Sequence, residues 1–246
     1  MNKLSDRLQV IAGRINKGET MADIGTDHGF LPIYLVENRI SPKAIMADIS
    51  KPSLEKGKSN AMMLLKDFND VNLMDFRVGD GLKAIGRGEV DAIVIAGMGG
   101  KLIRDILAND FEHTCSFKKF IFQPRIGQGH LRKWLADNGF CIINEDVVIE
   151  GDYIPEIITA ISPNYAEKDK DLITECPSDL TGDSIRWKIP PWIVKAGGPV
   201  DMFLDRNIAL EEFKLNNVKK AKVRNNMLEE SIISDIAYLK NLKEEL

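Results

Sequence analysis

Ala22-Asp23-Ile24-Gly25-Thr26-Asp27-His28-Gly29 is a short apolar run that passes into a turn of small residues, with a helical pattern opening at Leu31. A strand that ends in such a turn lets backbone approach a ligand closely and aims helix N–H groups at its anionic part. Outward from it, short apolar segments alternate with helical ones. The pattern predicts strands over Thr20–Ile24, Lys43–Asp48, Asp75–Val78, Val90–Ala96, Lys118–Phe122, Cys141–Ile149 and Glu156–Ile161. Helices are expected over 31–38, 52–66, 100–108 and 129–138, preceded by an amphipathic one with Leu4, Leu8, Ile11 and Ile15 on a single stripe and Gly18 at its close. Ala92-Ile93-Val94-Ile95-Ala96 is apolar throughout, as a parallel strand covered on both faces must be. The fold class is therefore α/β, a doubly wound, mostly parallel Rossmann-like sheet, with the last two strands forming an antiparallel edge hairpin across Gly151-Asp152.

After Ser162-Pro163 the pattern changes, and two domains are expected, 1–163 and 164–246. The stretch 166–198 is polar and proline-rich. From Val200 onward helical stripes take over, Leu204, Ile208, Leu215 and Val218 on one and Leu228, Ile232, Ile236 and Leu239 on another, which reads as a coiled-coil-like helical extension. The 246 residues carry 33 Lys and Arg against 37 Asp and Glu, a net charge of -4 that neither implies nor excludes a nucleic-acid partner, because phosphate meets a local basic face. No apolar run reaches the roughly 20 residues that span a bilayer, and no export signal is read at the N-terminus. Cys115, Cys141 and Cys176 are scattered and the three histidines show no ligand spacing, so no metal, no disulfide and a cytoplasmic location are expected. No obligate protein partner is inferred.

Four features fall at the carboxyl ends of successive strands. Gly25-x-x-x-Gly29 closes the first, without the Gly-x-Gly-x-x-Gly of dinucleotide binders. Asp48, 23 residues after Gly25, ends the second beside Ile49 and is placed to accept from two ribose hydroxyls. Gly79-Asp80-Gly81 follows the third, where an acid between pliant residues reaches an adenine amino group. Ala96-Gly97-Met98-Gly99-Gly100 follows the fourth. Asp23, Gly25, Asp48, Ile49, Gly79, Asp80, Gly81 and Ala96 are thus candidate cofactor-binding residues, and the combination describes a nucleoside ligand without a pyrophosphate, such as S-adenosyl-L-methionine. Arg7 is a candidate partner for that ligand's carboxylate. In the tail, Lys214, Lys219, Lys220, Lys222 and Arg224 lie in a stretch with no acid between Phe213 and Leu228, which reads equally as a solvated helix face or as a set that contacts phosphate.

Asp23-Ile24-Gly25-Thr26-Asp27-His28-Gly29-Phe30-Leu31-Pro32, with Gly79-Asp80-Gly81-Leu82, Ile95-Ala96-Gly97-Met98-Gly99-Gly100 and Gln123-Pro124, closely resembles the TrmK family. The resemblance implies a bacterial methyltransferase that acts on N1 of adenine 22 in tRNA, with a helical tail. The sequence has Gly29-Phe30 where that family usually has Ala-Tyr, and Arg125 where it usually has Asn. What it implies for the site is that backbone of Ala96 and Gly97, with Met98 packing on the base, holds a flipped-out adenine. Gln123 and Arg125 then lie near that base, and Asp27 and His28 are candidate proton acceptors or orienting groups. Other readings are a nicotinamide-dependent oxidoreductase, a non-catalytic RNA-binding protein with the same fold, and a small-molecule methyltransferase.

Overall fold

The structure is a computed structural model that describes residues 4–26, 28–167, 170–172, 180–221, 223 and 225–246. Asp27, Cys176, Lys222 and Arg224 lie outside the described residues. The chain order is α1 (Asp6–Gly13), β1 (Met21–Ile24), α2 (Phe30–Glu37), β2 (Ala44–Asp48), α3 (Lys51–Leu64), β3 (Met74–Val78), β4 (Ala92–Met98), α4 (Gly100–Ala108), α5 (Phe111–Thr114), β5 (Lys119–Pro124), α6 (Gln128–Asp137), β6 (Cys141–Val147), β7 (Glu156–Ile161), α7 (Ile185–Lys188), α8 (Val200–Lys220) and α9 (Asn226–Glu244). The seven strands form one sheet in the order β3-β2-β1-β4-β5-β7-β6. β7 alone runs antiparallel, to β5 on one side and β6 on the other, so the expected edge hairpin is present. Strand order reverses between β1 and β4, both central, and ligands of such sheets sit beyond the carboxyl ends at that point.

Why these segments become strands is visible in their burial. Every residue of β1 and β5 is buried, and so is Ala92 to Ile95 of β4. Helices cover both faces, giving two apolar cores, one around Ile93, Phe120 and Leu135 and one around Met46, Val94 and Ile121. The first helix ends at Gly13 rather than at Gly18, because Arg14 closes it on the carbonyls of Ile11 and Ala12. Ser50 caps α3, and Pro52 sits in its first turn, where a missing N–H costs nothing.

α8 and α9 pack antiparallel, with Phe203, Leu204, Ile208, Leu239 and Leu242 in a third core that also takes Val147 of β6. Leu228, expected on the buried stripe, is instead 45% exposed, because it lies in the first turn of α9 where the hairpin has not yet closed. The segment that joins sheet to hairpin is fastened to the sheet. Trp187 and Trp192, on the tail side of the expected division at 163, bury in the first core, each indole removing about 200 Å² from water, about 5 kcal/mol at 25 cal/mol/Å².

Below them lies Arg132, fully buried. Its guanidinium donates to Glu145 at 2.9 and 2.6 Å, to Glu156 at 2.5 Å and to the carbonyls of Trp187 and Lys188 at 3.2 and 2.8 Å. Trp192 Nε1 donates to the same Glu145 at 2.9 Å. One cation thus satisfies two acids and two carbonyls, which fixes where the hairpin leaves the sheet.

Candidate active site

The turn after β1 is built on Gly25, at φ +77, whose N–H donates to the Ala47 carbonyl at 2.8 Å. A Cβ there would displace the Met98 methyl group, 2.1 Å away, and the positive φ is one that glycine adopts far more readily than any other residue. Met98 arrives from β4 through a bulge. The ladder to β5 shifts between Ala96 and Met98, with Gly97 at φ +77, so the strand runs two residues past the Ala96 end that its apolar pattern marks. The Gly97 N–H donates to Gln123 Oε1 at 3.2 Å, and the Met98 carbonyl accepts from Arg125 N–H at 2.8 Å.

Asp23, one residue before the end of β1, is 9% exposed. Burial pushes its carboxyl up to about 6; the Thr26 hydrogen bond and the Arg7 charge pull the other way, and Asp48 adds a smaller push upward. Thr26 itself is buried. At the adjoining strand end, Asp48 Oδ1 accepts from Ser50 N–H at 2.6 Å, and the Asp48 carbonyl accepts from Gly79 N–H at 3.0 Å. That second bond brings the Gly79-Asp80-Gly81 turn alongside β2. Asp80 pairs with Lys83 at 2.8 Å in solvent, and Ile49 is 74% exposed, an apolar face beside two carboxylates. Gly79 and Gly81 are close-packing positions, since a Cβ would meet Ala84 at 2.7 Å and Ile106 at 2.9 Å. Asp23, Gly25, Asp48, Ile49, Gly79, Asp80, Ala96 and Met98 therefore share one rim.

Four of the expected residues have partners or neighbours within the protein. Gln123 is 4% exposed and works inside the protein: Oε1 accepts from Gly97 N–H and from Arg7 Nη1 at 3.1 Å, and Nε2 donates to the Pro124 carbonyl. It organises the rim rather than facing a base. Gly97 likewise has its N–H engaged by Gln123, so that donor is not presented to a substrate. Arg7, expected at a ligand carboxylate, donates from Nε to Glu150 Oε2 at 3.0 Å and clasps α1 to the β6–β7 connection. His28 stacks on Phe30, centroids 5.4 Å apart and planes 17° apart, and lines a cavity with Pro52, Lys56 and Asn60 of α3. The left-handed Gly29 at φ +69 follows it, with the Met46 methyl packed against Gly29 and Gly57. Arg125 lines a cavity of about 530 Å³ with Arg7, Gln123, Gln128, Glu150 and Tyr153, over the end of β5.

Of the tail residues, Lys214 pairs with Glu211 at 2.5 Å and Lys219 with Glu229 of α9 at 3.7 Å. The acid-free stretch of sequence thus borrows acids from the preceding helical turn and from the antiparallel partner. Lys220 is exposed and, among the described residues, has no carboxylate within ion-pair distance. α8 is about 30 Å long, so Lys219 and Lys220 stand at the far end of the hairpin from the sheet. Sequence reading missed Thr26, Glu150 and Tyr153. Thr26 was inside the quoted motif, while the other two sit in a segment marked only as a turn.

Among the described residues no group of three or more His, Cys, Asp or Glu is placed to hold a metal ion. No helix among them is long and apolar enough to cross a membrane.

A sheet in this order, with a pliant turn after β1, an acid ending β2 and another after β3, defines a class I methyltransferase fold. The methyltransferase-domain family pattern matches residues 4–158. The tRNA (adenine(22)-N(1))-methyltransferase of Bacillus subtilis is 38% identical over 165 residues, 64% of this chain and 65% of that protein, so the match spans just under two thirds of the relative's length. The crystal structure of the B. subtilis m1A22 tRNA methyltransferase TrmK superposes with a TM-score of 0.76 at 28% identity, covering 99% of this chain and 100% of that one. A Streptococcus pneumoniae putative tRNA (m1A22) methyltransferase, solved in complex with S-adenosyl-L-methionine, superposes with a TM-score of 0.75 at 24% identity, over 98% and 100% of the two chains. The chain belongs to the methyltransferase-domain family and is similar to the TrmK proteins.

Proposed function

We propose that the protein transfers a methyl group from S-adenosyl-L-methionine to N1 of an adenine in tRNA, the adenine at position 22. The observation that carries the reading is the shared rim, where Gly25, Asp48, Ile49 and Asp80 lie at or just past the carboxyl ends of three neighbouring parallel strands, in a chain similar to proteins named for that reaction. The residues fit the cofactor. Asp48 keeps Oδ2 for ribose hydroxyls, Ile49 offers an apolar face to an adenine, and Asp80 can exchange Lys83 for an exocyclic amine. Asp23 supplies a buried negative charge for the cationic amino-acid end. When bound, the cofactor supplies an electrophilic sulfonium methyl group.

The protein's own part is positioning and desolvation. Adenine N1 is a weak nucleophile, and holding it in line with a methyl carbon in a site without water lowers the barrier without any strong base at the moment of transfer. Met98, fixed over Gly25 by the Gly97 bulge, forms an apolar wall at the meeting point of the two substrates. Arg125, anchored through its N–H to the Met98 carbonyl, lies at the base's entry side. Asp27 remains our candidate for accepting the proton that the methylated adenine releases. The division into a catalytic domain, 1–163, and a tRNA-contacting helical domain, 164–246, belongs to the same proposal, with Lys220 the tail cation freest to meet phosphate. A cytoplasmic location follows from a tRNA substrate.

Incubation of the protein with bulk tRNA and cofactor carrying a tritiated methyl group tests the reading. Incorporation into tRNA, recovered as 1-methyladenosine after nuclease digestion, is expected. Label in another nucleoside, or none with folded protein, contradicts it.

A further inference from the structure

Two cavities open on either side of the β6–β7 connection, residues 148–155, and share a wall. One, about 530 Å³, lies over the end of β5 and includes Arg125 and Ile126. The other, about 480 Å³, lies between α6, α7 and α8 and includes Lys188 and Arg206. Gln128, Tyr153 and Ile154 line both, so the two form one trough leading from the rim toward the hairpin.

The connection between them is held from both sides. Arg7 bonds Glu150, the Arg206 guanidinium donates to the Asp152 carbonyl, and Glu150 and Tyr153 exchange backbone bonds of 2.9 and 3.1 Å around Gly151. That anchored turn presents Tyr153 at 75% exposure, in the same cavity as Ile126 at 73%. The acids of the trough are engaged internally: Glu150 with Arg7, Glu156 with Arg132, Asp183 with His130 and Glu211 with Lys214. Arg7 and Lys214 are used in those pairs. Among the described residues Arg125 and Lys188 have no carboxylate within ion-pair distance, although the Asp235 charge reaches Lys188, and Arg206 donates to a carbonyl.

We propose that this trough is the seat of the unpaired RNA next to the target nucleotide, with a base stacked on Tyr153 and flanking phosphates on Arg125 and Lys188. The inference rests on the tRNA reading above. An exposed aromatic ring on an anchored turn, flanked by cations outside salt bridges, is the arrangement that binds single-stranded nucleic acid, because every base has a face to stack and every linkage a charge to neutralise.

Fluorescence anisotropy with labelled tRNA, calorimetry with S-adenosyl-L-methionine and thermal melting are measured on wild type, Tyr153→Ala, Tyr153→Phe and Lys188→Gln. Tyr153→Ala is expected to weaken tRNA binding about five- to fiftyfold, and Tyr153→Phe to restore it, since only the ring face is used. Lys188→Gln is expected to reduce the slope of log affinity against log salt by about one. Cofactor affinity and melting temperature should not move in any of the three, since both side chains are exposed. Unchanged tRNA affinity in Tyr153→Ala would overturn the proposal, and so would loss in Tyr153→Phe equal to that in Tyr153→Ala. Wild-type protein that binds tRNA yet methylates nothing would overturn the activity instead, leaving the trough judged by the binding ratio alone.

Discussion

Asp23 is buried at the rim with its carboxyl raised from 3.8 to about 6, chiefly by burial. Its contribution to stability has a definite sign. Between pH 4 and 6 the folded protein holds a proton that the unfolded chain has lost, so stability falls as pH rises through that window, by about 3 kcal/mol in all, and the loss persists above it. A protein that keeps such a group does so where a cation is to be met. Asp23→Asn should therefore raise the ligand-free stability at pH 7.5, by about 1–3 kcal/mol in a urea titration, while weakening cofactor binding about tenfold or more. Wild-type affinity should rise with pH through about 6, and that rise should vanish in the variant. Weaker cofactor binding together with lower stability would show that Asp23 is structural. Asp23 and Asp48 stood out in the sequence because each falls near a strand's carboxyl end in register with the glycine turns, although an acid there is by itself more often a helix cap. The partners that make Asp23 special, Thr26 and Arg7, were not legible as partners, because contacts between α1 and β1 are set by packing that no local pattern encodes.

At the scale of elements, strand and helix positions followed from apolar periodicity to within two or three residues nearly everywhere. The offset that matters is at β4. Its apolar run stops at Ala96, yet pairing continues through Met98, because a glycine bulge is compatible with a ladder and leaves no hydrophobic signature. The bulge delivers Met98 onto Gly25. Gly25→Ala would force a Cβ into the Met98 methyl at 2.1 Å and a side chain into a left-handed backbone, with a cost of about 1–3 kcal/mol and loss of cofactor binding by calorimetry. Retained affinity would show that the turn can shift without penalty. The Arg132 cluster was equally silent in sequence, since no local pattern marks Arg132, Glu145 and Glu156 as buried partners. Arg132→Met would leave two buried acids without their cation, with an expected loss of about 3–5 kcal/mol by chemical denaturation. Arg132→Met together with Glu145→Gln and Glu156→Gln should recover much of it.

On the whole molecule, the sheet with its proposed nucleoside rim and a hairpin about 30 Å long are joined through Trp187, Trp192 and Arg132, so the hairpin's direction is set by the core. The tail's helical character was readable from its stripes. Its electrostatics were not, because Glu211 and Glu229 meet Lys214 and Lys219 only once α8 and α9 fold together. Lys219→Glu with Lys220→Glu should weaken tRNA binding and flatten its salt dependence without altering cofactor affinity. Unchanged tRNA affinity across salt concentrations would remove the hairpin from the interface.

The account as a whole is tested most directly by mapping the modified nucleotide. A transcript with adenine at position 22 and a second with guanine there are each incubated with the protein and S-adenosyl-L-methionine, then read by mass spectrometry of nuclease fragments. One methyl group on the fragment containing position 22 of the first transcript, and none anywhere on the second, is the predicted result. Methylation of both transcripts alike, or of neither, would contradict it.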